Sequence, residues 1–167
     1  MPQTVSMKLL ISGSQTNPLD LGTAELPFSL SKVIALAAGV GADQSDVLFT
    51  DTRTLAASAS ESLDLVGVLA SAFGSTINMA RLKGLFIVAA DANTNDVQLT
   101  RPASNGAPIF LAAGDGLAIG PGDFFALTRR GATGFVLTAG TGDLVTLTNS
   151  AGGSSVTYSI VAVGASA

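Results

Sequence analysis

Ser29-Leu30-Ser31-Lys32 has the spacing of a serine–lysine acyl-transfer pair, in which lysine takes the proton from a serine nucleophile. That chemistry also requires S-D-N and K-T-G elements, which are absent from the 167 residues, so the four residues read as strand positions turned toward solvent. Asp115 and Asp123 are carboxylates of the kind that cleave glycosides when paired across a cleft. Each directly follows a glycine, Gly114 or Gly122, which makes a turn the simpler reading. Asp91-Ala-Asn-Thr-Asn-Asp96 opens like a calcium-binding EF-hand loop, with Asp91, Asn93 and Asn95 at the first, third and fifth positions. Asp96 then stands where that loop needs glycine, and Pro102 where it needs the bidentate glutamate, so this too reads as a polar turn.

The residue inventory narrows the chemistry further. The chain has no histidine, cysteine or tryptophan, which removes Ser-His-Asp and Cys-His nucleophile systems and the usual imidazole and thiolate ligands of zinc. No Gly-Lys-Ser/Thr is present for a phosphate-binding loop, and Gly114-Asp-Gly116 and Gly120-Pro-Gly122 lack a strand–turn–helix setting. We expect no catalytic, cofactor-binding or metal-binding residues. With 8 basic and 12 acidic side chains the net charge is −4, and Arg129–Arg130 is the only basic doublet, so no stripe exists to neutralise a run of phosphates. The doublet reads equally as an anion contact or as a solvated hairpin tip. Nucleic acid is not an expected partner.

Only 12% of residues are charged, about half the usual share for a soluble domain. A compact chain of 16.6 kDa exposes roughly 7,600 Å², and here most of that surface must be neutral. Such surfaces are normally covered by partners, so a permanent homo-oligomer is expected. Mean hydropathy is +0.52, yet the longest nearly uninterrupted apolar run, Val33 to Ala42, would span only about 15 Å even as a helix. Neither a membrane span nor a cleaved leader is expected: Lys8 is followed only by Leu9, Leu10 and Ile11.

The elements that must position these residues read mostly as short strands with Gly, Asn, Asp and Ser turns at even spacing. Val5, Met7, Leu9 and Ile11 share one face of a first strand over Val5 to Ser12, serving either the domain's own sheet or, within residues 1–20, an arm that contacts a neighbouring subunit; either use buries them. Ala24, Leu26, Phe28 and Leu30 alternate with polar residues in a second, and Pro27 assigns it to an edge. Further strands are expected at Val47–Leu55, Ser60–Leu65, Ala80–Ala89, Val97–Thr100, Ile109–Ala112, Phe124–Thr128, Phe135–Thr138, Leu144–Thr148 and Val156–Val163. Gly114–Asp115, Gly122–Asp123 and Gly142–Asp143 read as turns in which the aspartate bonds its own downstream backbone. One helix is expected where Leu65, Leu69 and Phe73 recur between an Asp64 cap and a Gly74 stop, with Gly67 weakening it. Lys32 to Ala38 is either a helical turn or a buried strand. The whole is one all-β domain over residues 1–167, an antiparallel β-sandwich of about ten short strands with at most one or two short helices.

Two blocks, F-T-D-T-R-T-L-A-A-S-A-S-E-S-L-D-L at Phe49 to Leu65 and G-F-V-L-T-A-G-T-G-D-L-V-T-L-T-N-S at Gly134 to Ser150, resemble small structural proteins of tailed bacteriophages, among them capsid decoration (cement) proteins. Ala80 to Val88 and Ser155 to Gly164 extend the resemblance. It implies a jelly-roll-like sandwich, a homotrimer, the major capsid protein as partner, and a place on the virion capsid surface after synthesis in the host cytoplasm. It carries no catalytic residue across. The alternative is a tail or baseplate component that contacts host surface glycans, although Tyr158 is the only tyrosine available as a stacking platform beside phenylalanine.

Overall fold

The computed structural model describes residues 3–167, and all of its regular secondary structure is β. Fourteen strands follow in chain order: β1 (Val5–Leu19), β2 (Gly22–Ala38), β3 (Gln44–Ser45), β4 (Val47–Leu55), β5 (Ser60–Asp64), β6 (Val66–Ala70), β7 (Thr76–Asn78), β8 (Arg81–Ala89), β9 (Val97–Thr100), β10 (Gly116–Ile119), β11 (Phe124–Thr128), β12 (Phe135–Val136), β13 (Leu144–Asn149) and β14 (Val156–Ala165).

Eight of them build two sheets, β11-β8-β14-β4 and β10-β9-β13-β5, with β12 added to the β11 side of β8. Numbered one to eight in chain order, these strands pair as one with eight, two with seven, three with six and four with five, always antiparallel. The chain is therefore one long hairpin with its tip between β9 and β10. The hairpin is rolled so that strand eight also meets strand three and strand seven meets strand four. Rolling follows from the side-chain pattern. Phe49 and Leu55, then Leu85, Ile87 and Ala89, then Tyr158, Ile160 and Ala162 line the inner face of one sheet; Leu63, Val97, Leu99, Ile119, Val145 and Leu147 line that of the other, and together they form one buried core. The sequence-level expectation of an all-β antiparallel sandwich holds.

At the β4/β5 edge the two sheets are tied by a polar cluster. Glu61 accepts hydrogen bonds from the Tyr158 hydroxyl and from Arg53 Nη1, both at 2.6 Å, and Arg53 also pairs with Asp51 at 3.0 Å. Burial, then the bond to Glu61 and its charge, pushes the Tyr158 phenol well above its ordinary value of 10.0. The folded state thus keeps a proton that the unfolded chain loses. This contribution to stability is complete below pH 10 and is lost above it, by up to about 1.4 kcal/mol per pH unit. Because Tyr158 is the only tyrosine and tryptophan is absent, an ultraviolet titration should show no phenolate absorbance until the protein unfolds.

Several local expectations are corrected. Residues 64–74 form no helix: Leu65 is buried while Phe73 is exposed, so they share no face, and Gly67 sits at φ +95°, outside helical backbone. Asp64 instead accepts from the Val66 amide two residues on, opening the small β6–β7 hairpin. Ile109–Ala112 is not a strand; the Arg101 guanidinium bonds the Phe110 and Leu111 carbonyls at 2.8 and 3.1 Å, taking the place of a ladder. Asp115 and Asp143 bond backward, accepting from the amides of Ala112 and Gly140, because each closes the loop before it. Lys32 to Ala38 is strand, but only Leu36 in it is buried.

Candidate assembly interface

β1 and β2 form a ribbon that leaves the sandwich. Leu19 pairs with Gly22 across the two-residue turn Asp20–Leu21, and the register runs unbroken back to Val5 opposite Leu36. Fifteen paired positions reach about 50 Å. In a two-stranded ribbon both strands are edges, which is how Pro27, opposite Ser14, is accommodated.

Directly paired residues project to the same face, so the register sorts the side chains. One face carries Val5, Met7, Leu9, Ile11 and Leu19 with Ala24, Leu26, Phe28, Leu30, Ile34 and Leu36, interrupted by Gln15, Asn17 and Lys32; the other is mostly polar, with Ser6, Lys8, Ser12, Ser14 and Thr16 beside Thr23, Glu25, Ser29 and Ser31, and exposes Leu10 and Val33. The ring of Phe28 lies across Gly13, where a Cβ would meet it at 2.8 Å. Ser29 and Lys32 of the S-x-x-K pattern project to opposite faces of the ribbon, and both are exposed.

The base of the apolar face is covered by the chain itself. Leu36 is 1% exposed, Val5, Met7 and Ile34 are half-buried, and Met7 Sδ lies 3.1 Å from where a Cβ on Gly84 would sit. Beyond the base the face is bare: Leu9 is 45%, Ile11 49% and Phe28 55% exposed. Of the four residues expected to be buried on this face, either in the domain's own sheet or by a neighbouring subunit, the chain itself covers Val5 and Met7 in part and leaves Leu9 and Ile11 uncovered, because nothing in it reaches that far. The total accessible surface, 8906 Å², is about 1,300 Å² above that of a compact chain of this mass.

The ribbon is anchored where it joins the sandwich. Lys83, fully buried, donates through Nζ to the carbonyls of Gln44 at 2.7 Å, Val40 at 3.3 Å and Gly41. Burial, followed by the charge of Arg81, pulls its ammonium below the ordinary lysine value, while Asp46 and Asp43 oppose that shift. Arg130 pairs with Asp43 at 3.2 Å, and Arg129 lies 4.9 Å over the ring of Phe135, so the arginine doublet is used within the chain. Lys83→Met leaves three carbonyls without their donor and should cost about 1–2 kcal/mol. Denaturant unfolding and faster amide exchange over residues 39–45 would register it.

The two sheets differ on their outer faces. On the four-stranded sheet the cross-strand rows are Ala118-Gln98-Thr148-Ser60 and Gly116-Thr100-Thr146-Ser62, small and polar. On the five-stranded sheet the rows are Phe124-Val88-Ser159-Thr52, Ala126-Phe86-Val161-Thr50 and Thr128-Gly84-Val163-Leu48. Phe124 is 66% exposed and Val88 is also exposed, with Phe86 and Val161 half-buried beside them. None of the twelve positions in these three rows is charged.

The residues considered for chemistry are dispersed. Asn93 exchanges two hydrogen bonds with the Thr157 backbone, and Asn95 bonds Asn149 and the Ala151 and Ser154 carbonyls. Among the described residues no group of three or more acidic side chains is placed to hold a metal ion. A groove of about 480 Å³ between β4 and β7 is lined by Leu48, Thr50, Phe73 and Ile77, with Asp46 as its one charged group. No family model matches the chain, and neither a curated protein nor a solved structure is similar to it.

Proposed function

We propose that the chain is a non-enzymatic structural protein of a virion, a capsid decoration protein that binds the assembled icosahedral shell as a homo-oligomer, with a trimer favoured by the resemblance. The observation that carries this reading is the ribbon with one bare apolar face. A two-stranded ribbon is marginal in water alone, and a one-sided apolar face of this length is an interaction site. The scarcity of charge over the rest of the surface supports the same conclusion.

The eight-strand order, one long hairpin rolled into two facing sheets, supports the jelly-roll reading, an architecture common in viral shells and lectins. The blocks that resemble phage decoration proteins fall on β4, β5, β8, β12, β13 and β14, all in the sandwich, and the resemblance does not reach the ribbon. A protein that binds only the assembled lattice stabilises it by mass action. Several copies in one oligomer make the later contacts intramolecular, so each contact can be modest.

The test is sedimentation of the protein with assembled shells and with unassembled shell protein, followed by electron cryo-microscopy of the particle. Binding to shells alone, with density seated between shell subunits, is the expected result. Absence of binding to shells, or density confined to the tail, would overturn it, and the latter would favour glycan contact.

A further inference from the structure

We propose that the ribbon of one copy lies with its apolar face on the outer face of the five-stranded sheet of a second copy, seating Ile11, Phe28 and Leu30 on Phe86, Val88, Phe124 and Val161. This deepens the preceding reading and rests on its claim that the chain works as a homo-oligomer.

Four observations converge on a second copy as the occupant. First, the large apolar side chains of the ribbon are concentrated on one face, the other exposing only Leu10 and Val33, so its partner is a surface laid against the first face rather than a cavity that swallows it. Second, the base of that same face already packs on the outer face of this sheet within the chain, Met7 over Gly84, and Leu36 and Val163 are buried outside the main core. The contact that the base makes at home is of the kind its outer part lacks.

Third, the bare patch continues directly from that contact: Phe86 and Val88 lie two and four residues from Gly84 along β8, and Val161 lies two residues from Val163 along β14. Neither surface places an acidic group against the other. Lys32, the one charge on the ribbon's apolar face, has a stem long enough to lift its ammonium out of the contact. Fourth, the areas fit. The surface excess of about 1,300 Å² counts both faces of the ribbon, so one face is on the scale of the ~800 Å² per partner of a standard stable interface.

The contact is heterologous, ribbon to sheet, so each copy gives one ribbon and receives one. Such contacts generate rings where the rotation closes. Three copies would then leave no ribbon bare.

Because the chain has no cysteine, engineered thiols are unique. Leu30→Cys, Val88→Cys and Thr146→Cys, each at a position outside the core, are made separately with tags of different size, mixed in pairs, linked with a short bis-maleimide and run on a denaturing gel. The mass of each sample is read by light scattering. The expected result is an oligomer in which Leu30→Cys links to Val88→Cys about tenfold more than to Thr146→Cys on the other sheet, since seating in one assembly raises their effective concentration. Oligomers in which Leu30→Cys links to itself or to Thr146→Cys would overturn the acceptor face while leaving the assembly reading standing. Linkage to shell protein in the presence of shells would overturn it too, making the shell the occupant. Monomers without linkage would overturn both.

Discussion

Replacing Ile11 and Phe28 together by aspartate should convert the assembled protein into 16.6 kDa monomers without unfolding the sandwich. Both side chains are about half exposed in the single chain, so the half that a partner covers is what the substitution removes. Full burial of a large apolar side chain is worth about 1.5–3 kcal/mol; two half-buried ones lose roughly 1.5–3 kcal/mol per subunit contact, about 10- to 150-fold in affinity. Carboxylates forced into the contact without partners add to the loss. In the proposed ring the loss would fall on every contact. Light scattering over a dilution series reads the effect, and a matched pair on the ribbon's polar face, Ser12→Asp with Thr23→Asp, changes the charge equally and should leave the mass unchanged. Retention of the oligomer by the first variant would mean that the ribbon does not hold it together.

Asn149→Asp should destabilise the sandwich itself by about 3–5 kcal/mol, the loss characteristic of a buried charge left uncompensated. Asn149 is 2% exposed at the end of β13. Its Nδ2 donates to the Ala56 carbonyl at 3.0 Å and the Ser154 carbonyl at 2.8 Å, while its Oδ1 accepts from Asn95 at 2.9 Å. One amide thus joins the β4–β5 connection, the β13–β14 connection and the loop before β9. The substitution preserves shape but turns the donor into an acceptor facing two carbonyl oxygens, and it buries a charge. Denaturant unfolding measures the loss; a change under about 1 kcal/mol would mean that the amide is not what closes this end of the sandwich.

Ile11, Phe28 and Asn149 mark what was and was not legible in the sequence. The strands Val47–Leu55, Val97–Thr100 and Phe124–Thr128 match their expected bounds, each entered directly after an aspartate, Asp46, Asp96 or Asp123. Asp91 to Asp96 was readable as a turn, but not that its asparagines bond strands about 55 to 65 residues away, since side-chain partners at that separation leave no local pattern. The ribbon was half legible. Val5 to Ile11 and Ala24 to Leu30 alternate visibly, whereas Gly13 to Leu19 is polar, and a strand through it is set by the cross-strand bonds of its partner rather than by its own composition. Only the register reveals that the two apolar faces are one. The outer patch did leave a signal: Leu85 to Ala90 and Ile160 to Val163 are apolar without alternation, the pattern of strands covered on both faces.

The rolled hairpin also governs the order in which a newly made chain acquires its surfaces. β1 and β2 are neighbours across a two-residue turn, and such hairpins close within ~1–10 μs. β4 cannot find β14 until the last residues exist, since Val47 pairs with Gly164, and pairings of that span make all-β domains slow to fold. The two ribbon strands can therefore pair early, but the pairing is secured only when β8 supplies Lys83 and Gly84 at its base. Ser159 and Val161, central to the outer face of the five-stranded sheet, belong to the final strand. In the proposed ring, a copy that lacks its last strand has no finished sheet on which to receive a ribbon, so the ring would close only with chains that have reached that strand.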